Sequence, residues 1–317
     1  MKKQIILKII SFTAIALILG MCFSTCKRSN ANQPVRTYTA TIKIKGSESE
    51  FNLIKYIGSE FNKKNPDINI VVAGGGSGDG IEDLLQDNIE IASLSRPVNN
   101  DELEVAERKG LVLVPIIIAL DAIAIITNPQ NGVDSLSLTQ LGKIFNGTIT
   151  NWNEVGGSNL LIKVYGRKSN SGTRQYLRDR LMISKYADNV IAKKGNDEIL
   201  EIVKKEKGSI GYLSLGSIID TNGKPYGGIW AVNTYYEGGK AHSPFEMEAI
   251  KSGEYPLVRP LYQYLIGFPK GNILDFIQFE LSSTIQREIE QHGYFPINPI
   301  HKTINGKNIP DLNNSAD

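Results

Sequence analysis

The sequence predicts an α/β fold of mostly parallel sheets with helices packed on their faces. Short β-rich runs alternate with amphipathic segments along residues 41–94, and this alternation is typical of βαβ units. Loops rich in glycine, serine and arginine follow several of the strand-like runs. The 317 residues are enough to form two lobes.

Apolar spacing defines the individual elements. Apolar residues recur at helical spacing from Phe51 to Phe61, and Asn65-Pro66 ends that helix. Strands are predicted at residues 41–45, 68–73, 89–94, 160–165 and 260–265. Further helices are predicted to open at residues 81–85 and to cover residues 175–181 and 273–291. The last helix carries a stripe that we expect to be core, formed by Ile277, Leu281, Ile285 and Ile289.

A long apolar stretch covers residues 111–127. Because Asp121 interrupts it, the stretch is too polar for a membrane span, and we predict two strands joined by a crossover. A boundary between lobes is placed near residues 119–121.

The amino terminus has the layout of an export signal. Three lysines precede the uncharged run of residues 9–23, which is short for a membrane span. Phe-Ser-Thr-Cys at residues 23–26 resembles a bacterial lipoprotein cleavage box, with Phe where Leu is usual. We therefore expect residues 1–25 to be a signal peptide and Cys26 to carry a lipid. Cleavage nearby without lipid, or an uncleaved anchor, are the alternatives.

The mature chain is expected to be exported to the periplasm or cell surface and held by a lipid anchor. Residues 26–38 are rich in polar residues and are predicted to be a flexible tether. Removal of three lysines takes the formal charge from +2 to −1. A nearly neutral protein is not built to coat nucleic acid, so the sequence predicts no nucleic-acid partner.

Three loops have the composition of an oxyanion-binding site, with hydroxyls, glycines or guanidinium groups between a strand and a helix. They are residues 46–50, 74–80 and 167–174. The first amide N–H groups of each following helix have no intrahelical acceptor and lie at the positive end of the helix dipole. We therefore predict that the three loops face one cleft and bind a tetrahedral oxyanion.

Two of these loops also have an interpretation without a ligand. Ser47 with Glu50, and Asp79 with Glu82, have the spacing of capping boxes. The glycine run lacks the Gly-Lys-Ser or Gly-Lys-Thr that completes a phosphate loop.

Six segments carry a resemblance to a known family. They are Gly46-Ser47, the glycine run at 74–78, Ile-Ala-Ser-Leu-Ser-Arg-Pro at 91–97, residues 140–155, Ser-Gly-Thr-Arg at 171–174 and residues 286–296. In this order they resemble the PstS-like family, the phosphate-binding proteins of ABC transporters. The resemblance covers nearly the whole mature chain.

The resemblance implies a two-lobed type II periplasmic-binding-protein fold, in which each lobe is a mixed, mostly parallel sheet flanked by helices and the ligand cleft lies between the lobes. Residues 39–119 and 264–317 would form lobe 1, and residues 120–263 would form lobe 2. The implied ligand is inorganic phosphate, and the implied partner is the permease of an ABC transporter. The family implies no cofactor and no metal, and we expect a monomer.

By position, the resemblance assigns ligand contacts to Ser77, Arg167, Ser171, Gly172 and Thr173. Three positions depart from the family pattern: Glu48 stands where a threonine is usual, Ser95 where an aspartate is usual, and Ser169 where a carboxylate often accompanies the arginine.

Phosphate near neutral pH carries a proton, so a selective site needs an anionic acceptor that repels fully ionised sulfate. Glu48 or Asp79 could supply it; alternatively, both are helix-start carboxylates that point to solvent. The arginines are expected to make bidentate anion contacts. The full predicted site comprises Ser47, Glu48, Ser49, Ser77, Gly78, Asp79, Ser95, Arg96, Arg167, Ser171, Gly172, Thr173 and Arg174.

Other functions stay open at this stage. The ligand could be another tetrahedral oxyanion, such as sulfate or molybdate, or the protein could be an anion-sensing lipoprotein without a transport role. A serine-dependent hydrolase is the remote alternative, because Ser171 stands in a strand-to-helix turn. The sequence around Ser171 lacks the Gly-x-Ser-x-Gly elbow, so no enzyme is expected.

Overall fold

The computed structural model describes residues 38–220 and 222–309. The predicted signal peptide, the lipid site at Cys26 and all but the last residue of the predicted tether lie outside these residues, as do residues 310–317. Within the described part, no helix combines the length and apolar character needed to cross a bilayer.

The described residues form twelve strands and ten α-helices. The strands are β1 (Ala40–Gly46), β2 (Ile68–Ala73), β3 (Ile91–Leu94), β4 (Leu113–Thr127), β5 (Ser135–Ser137), β6 (Lys163–Arg167), β7 (Ile191–Lys193), β8 (Ser209–Ser214), β9 (Trp230–Ala231), β10 (Asn233–Tyr235), β11 (Val258–Ile266) and β12 (Tyr294–Phe295). The helices are α1 (Phe51–Lys64), α2 (Ser77–Leu85), α3 (Asn100–Arg108), α4 (Leu138–Phe145), α5 (Gly172–Arg180), α6 (Asn196–Lys205), α7 (Met247–Ser252), α8 (Asn272–Leu281), α9 (Ser283–Glu288) and α10 (Pro299–Asn305).

One sheet connects most of the strands, in the order β2-β1-β3-β11-β4-β8-β6-β7. β1 is parallel to β2 and β3, and β6 is parallel to β7 and β8. β11 is antiparallel to both of its neighbours, β3 and β4. Parallel strands at both ends of a mixed sheet, with helices between them in the chain, confirm the predicted α/β class.

The sheet carries separate hydrophobic cores, and these cores define two lobes. The core of lobe 2 draws on residues 122–257 and Phe295. The cores of lobe 1 draw on residues 42–119 and 261–309, on the two faces of its sheet. β4 and β11 run from one lobe into the other. The exact residues at which the lobes meet, placed at 119/120 and 263/264, therefore remain predictions.

Residues 113–127 form one continuous strand of 15 residues, β4, so the predicted pair of strands with a crossover is wrong. The strand register places Arg259 of β11 directly opposite Asp121. Because this guanidinium pairs with the carboxylate at 2.8 Å, the charge does not interrupt the strand.

The predicted helix over residues 273–291 is broken at Ser282, where α8 ends and α9 begins. The Ser282 hydroxyl accepts the N–H of Ile285 at 3.4 Å and caps the second helix. The stripe is core as expected, because Ile277, Ile285 and Ile289 are buried and Leu281 packs against them.

Candidate functional site

The first loop joins β1 to α1. A Cβ atom on Gly46 would lie 2.0 Å from the Ser93 carbonyl oxygen, and the backbone there has φ 148°, so only glycine fits. The Ser47 hydroxyl accepts the N–H of Ser49 at 3.2 Å. Glu50 is the N-cap of α1 and its side chain makes no capping bond, so the predicted Ser47–Glu50 capping box is wrong.

Glu50 is fully buried, and neither of its carboxylate oxygens has a hydrogen-bond partner among the described residues. Burial raises the pKa of Glu50 well above its ordinary value, and the charge of Arg259 partly opposes this shift. Burial therefore favours the neutral acid over the carboxylate at the start of α1.

The glycine loop joins β2 to α2. Gly76 is the N-cap of α2, so Asp79 lies inside the first helical turn and the predicted Asp79–Glu82 capping box is wrong. The N–H of Gly75 donates to Glu48 Oε1 at 2.7 Å, which ties the first loop to the glycine loop. The Glu48 carboxylate thus has a protein donor, and its second oxygen is not bound by this contact.

The loop after β6, from lobe 2, lies against the glycine loop of lobe 1. The N–H of Gly78 donates to the Asn170 carbonyl at 3.0 Å, and the Asn170 side-chain amide bonds Asp79. A Cβ atom on Gly76 would lie 2.8 Å from the Asn170 carbonyl oxygen. The glycines therefore allow a close approach between the lobes.

Two hydroxyls of lobe 1 meet the start of α5 in lobe 2. The Ser77 hydroxyl accepts the N–H of Ser95 at 3.1 Å. A Cβ atom on Gly172 would lie 2.2 Å from Ser77 Oγ and 2.6 Å from Ser95 Oγ. The N-termini of α2 and α5 therefore come together with both serines.

α5 begins at Gly172, three residues before the predicted helix at residues 175–181. The Ser171 hydroxyl caps the helix by accepting the N–H of Arg174 at 3.4 Å. Thr173 is buried, and its hydroxyl oxygen lies 2.9 Å from Ser49 Oγ of lobe 1. Arg174 donates to the Arg167 carbonyl at 3.1 Å and stacks over Tyr186.

The predicted arginines have different environments. Arg167 is 2% exposed, donates through Nη1 to Asn196 Oδ1 at 2.6 Å, and has no acceptor for Nε within the part that the structure describes. Burial lowers the pKa of this guanidinium, and the charge of Glu48 acts in the opposite direction. Arg96 instead makes a bidentate pair with Glu102, at 2.6 and 2.8 Å.

The sequence interpretation missed Arg259 and Asp121 as parts of the site. The Arg259 guanidinium contacts Ser49, Thr173 and the Ser95 carbonyl, which come from three loops. Burial raises the pKa of Asp121 and the adjacent guanidinium opposes that shift. Each residue is an isolated charge inside an apolar strand, and two such charges of opposite sign are the signal that indicates a buried ion pair.

Among residues 38–220 and 222–309, no group of three or more His, Cys, Asp or Glu side chains could hold a metal ion. Besides the Glu48 and Asp79 carboxylates, which accept protein donors, the site contains hydroxyls, backbone N–H groups at helix starts, and buried guanidinium groups. These groups donate hydrogen bonds and carry positive charge, and they are complementary to an anion rich in acceptors.

Comparisons with known proteins agree with this geometry. The chain is 29% identical to protein SphX of Synechococcus elongatus over 277 residues, which are 84% of this chain and 80% of that protein. It is 27% identical to the phosphate-binding protein PstS of Bacillus subtilis over 317 residues, 97% of this chain and 99% of that protein.

A crystal structure of a putative phosphate ABC transporter substrate-binding protein from Clostridium perfringens, with bound phosphate, superposes with a TM-score of 0.71. The two chains are 27% identical, and the match covers 81% of this chain and 100% of that one. The sequence profile of the PBP superfamily domain matches residues 31–284. The chain therefore belongs to the PBP superfamily, the two-lobed binding proteins to which its sequence motifs pointed.

Proposed function

We propose that this protein captures inorganic phosphate between its two lobes and delivers it to the permease of an ABC transporter. The observation that carries the proposal is the buried guanidinium of Arg167, whose Nε has no acceptor among the described residues. A buried donor without a partner is costly, and an oxyanion in the cleft would remove that cost. The names of the PstS and SphX relatives and of the C. perfringens structure support phosphate as the anion.

The surrounding donors fit a small tetrahedral anion. Helices α2 and α5 present their N-termini at the same place, and an N-terminus attracts negative charge through its free N–H groups and its dipole. The hydroxyls of Ser77, Ser95 and Thr173 add donors from both lobes. Donors from two lobes reach one small anion only when the cleft is closed, so we expect ligand to favour the closed state.

The contacts of Ser171, His242 and His292 support binding rather than catalysis. Ser171 uses its hydroxyl oxygen as a helix cap. Among the histidines, the ring of His242 bonds Glu246 and the ring of His292 packs on Tyr56. A serine nucleophile needs a base within hydrogen-bond reach, and these two rings have other partners.

We propose an exported monomer anchored by a lipid on Cys26, with lobe 1 formed by residues 39–119 and 264–317 and lobe 2 by residues 120–263. The two lobes would hinge where β4 and β11 pass between the cores.

Isothermal titration calorimetry of the ligand-stripped protein with phosphate, sulfate and molybdate tests the proposal. We expect phosphate to bind tightest. Arg167→Met should weaken phosphate binding by more than about tenfold, because it removes a buried charged donor. Arg178→Met is the matched control, since Arg178 is exposed on the outer turn of α5 and pairs with Asp179. A parent protein that prefers sulfate or molybdate, or an Arg167→Met variant that binds phosphate normally, would contradict the proposal.

A further inference from the structure

Arg259 occupies the point where the two lobes share strands. It lies on β11 opposite Asp121 of β4, and the two side chains are 1% and 0% exposed. Nε and Nη2 of Arg259 donate to Asp121 Oδ2 at 3.1 and 2.8 Å. The other oxygen of Asp121 accepts the Ser214 hydroxyl at 2.6 Å. The Asp121 carboxylate therefore fixes the position of the Arg259 guanidinium, and the Ser214 hydroxyl fixes the position of the carboxylate.

Nη2, which donates to Asp121, also reaches one hydroxyl from each lobe. Nη2 lies 2.9 Å from Ser49 Oγ of lobe 1 and 3.0 Å from Thr173 Oγ1 of lobe 2. Nη1 donates to the Ser95 carbonyl at 3.0 Å, which fixes the plane of the group. The two hydroxyl oxygens are 2.9 Å apart, so they can also bond each other.

The chemistry of these groups determines the direction of the hydrogen bonds. A guanidinium only donates, and one of the two Nη2 hydrogens goes to Asp121. The Ser49 and Thr173 oxygens therefore share the second Nη2 hydrogen as acceptors and keep their own protons. When one of the two hydroxyls donates to the other, a single O–H is left to point elsewhere. A hydroxyl that already accepts charged donors is also polarised into a stronger donor. Because Asp121 balances the charge, Arg259 acts on hydrogen-bond direction more than on the net charge of the site.

We propose that Arg259 is a positioning residue for anion binding, which forces the Ser49–Thr173 hydroxyl pair to present an O–H donor to the ligand. The proposal rests on the proposed function, in which the ligand is phosphate. It assigns to Arg259 no direct contact with the anion. Its effect on affinity passes through the Thr173 hydroxyl.

A double-mutant cycle tests this route. Arg259→Lys should weaken phosphate binding about tenfold in the parent, as expected for loss of a charged hydrogen bond. In the Thr173→Val background, where the hydroxyl is absent, the same change should cost less than about twofold. Arg180→Lys is the matched control, because Arg180 lies on α5 and donates to the Pro256 carbonyl, and it should leave affinity within about twofold. Calorimetry gives the affinities, and thermal unfolding without ligand gives the stabilities.

A second measurement uses the parent protein and does not depend on the folding of any Arg259 variant. With phosphate bound, a scalar coupling between the Thr173 hydroxyl proton and phosphorus should be visible by NMR, and Thr173→Val should remove the signal. Equal losses for Arg259→Lys in both backgrounds, or no coupling to the Thr173 proton in a parent that binds phosphate, would overturn the inference alone. A parent that binds no phosphate would overturn the proposed function as well.

Discussion

The side-chain amide nitrogen of Asn170 in lobe 2 lies 2.9 Å from each carboxylate oxygen of Asp79 in lobe 1. The N–H of Gly78 donates to the carbonyl of the same asparagine at 3.0 Å. Three contacts thus connect the loop after β6 to the first turn of α2. Both Asp79 oxygens are occupied by a protein donor, which favours a role for Asp79 in closing the lobes over a role in accepting the phosphate proton.

Exchanging the two residues should preserve this contact, while changing only one should break it. Asn170→Asp alone places two carboxylates together, and we expect phosphate affinity to fall roughly tenfold to a hundredfold. The double variant Asn170→Asp with Asp79→Asn keeps an amide opposite a carboxylate, and should recover affinity to within about threefold of the parent. Titration calorimetry and stopped-flow dissociation rates measure both effects.

The exposed Asn153→Asp in lobe 2 is the control and should have no effect. The ratio of phosphate to sulfate affinity should be the same in the parent, the single variants and the double variant, because closure of the lobes stabilises the binding of any anion equally. A ratio that shifts in Asp79→Asn would instead place the Asp79 carboxylate on the ligand.

Glu48 is the remaining candidate for the acceptor of the phosphate proton. Glu48→Gln should improve sulfate binding relative to phosphate, because the amide removes a repulsive charge and can still accept the Gly75 N–H through its oxygen. Each 1.4 kcal/mol of lost discrimination corresponds to about a tenfold change in the ratio. Glu104→Gln, at an exposed position on α3, is the control. An unchanged ratio would leave Glu48 only as a link between two loops.

Glu280 should make the stability of the protein depend on pH. It is fully buried, burial raises its pKa well above the ordinary value, and Gln263 donates to its Oε1 at 2.9 Å. The folded protein therefore keeps a proton that the unfolded chain loses near about pH 4.3. The free energy of unfolding should fall as pH rises from there to the pKa of the folded state, by at most about 1.4 kcal/mol per pH unit from this group.

Glu280→Gln should make the free energy of unfolding depend less steeply on pH, because glutamine keeps the acceptor oxygen and has no proton to lose. Urea unfolding at several values between about pH 5 and pH 8 measures it, with Glu104→Gln as the exposed control. Some dependence of the free energy of unfolding on pH should remain in this variant, since Glu50 also has a raised pKa. Parallel curves for the parent and Glu280→Gln would show that Glu280 is ionised in the folded protein.

Cys26→Ser should abolish lipid attachment and release the protein into soluble fractions, because the cysteine sulfur would carry the lipid. Metabolic labelling with a fatty acid followed by fractionation checks this. Cys22→Ser is the control, since Cys22 is the only other cysteine of the chain. Label that persists in Cys26→Ser and disappears in Cys22→Ser would move the lipid to Cys22.

Local patterns predicted the elements whose faces are plainly apolar or polar. The strand at residues 68–73 and the helix that ends before Asn65-Pro66 match the structure closely, because burial of one face fixes their periodicity. The site loops were predicted for a related reason: each combines glycine with hydroxyl or charged residues directly after a strand.

The contacts that organise the site are far apart in the chain, so local patterns do not report them. Arg259 and Asp121 are separated by 138 positions, and Asn170 and Asp79 by 91. Which residues face each other across strands and lobes depends on the sheet register and on lobe closure. Glu50 was misinterpreted as half of a capping box because spacing does not reveal that its carboxyl is buried.

The place of β11 in the sheet also determines when the protein can fold. β11 lies between β3 and β4, yet it is synthesised after nearly all of lobe 2. Lobe 2 draws all of its core except Phe295 from one unbroken stretch of chain and can form first, whereas lobe 1 must wait with an open gap between β3 and β4. Pairings between such distant segments close slowly. If the chain crosses a membrane with its amino terminus first, lobe 1 would therefore be completed only after nearly the whole chain has crossed.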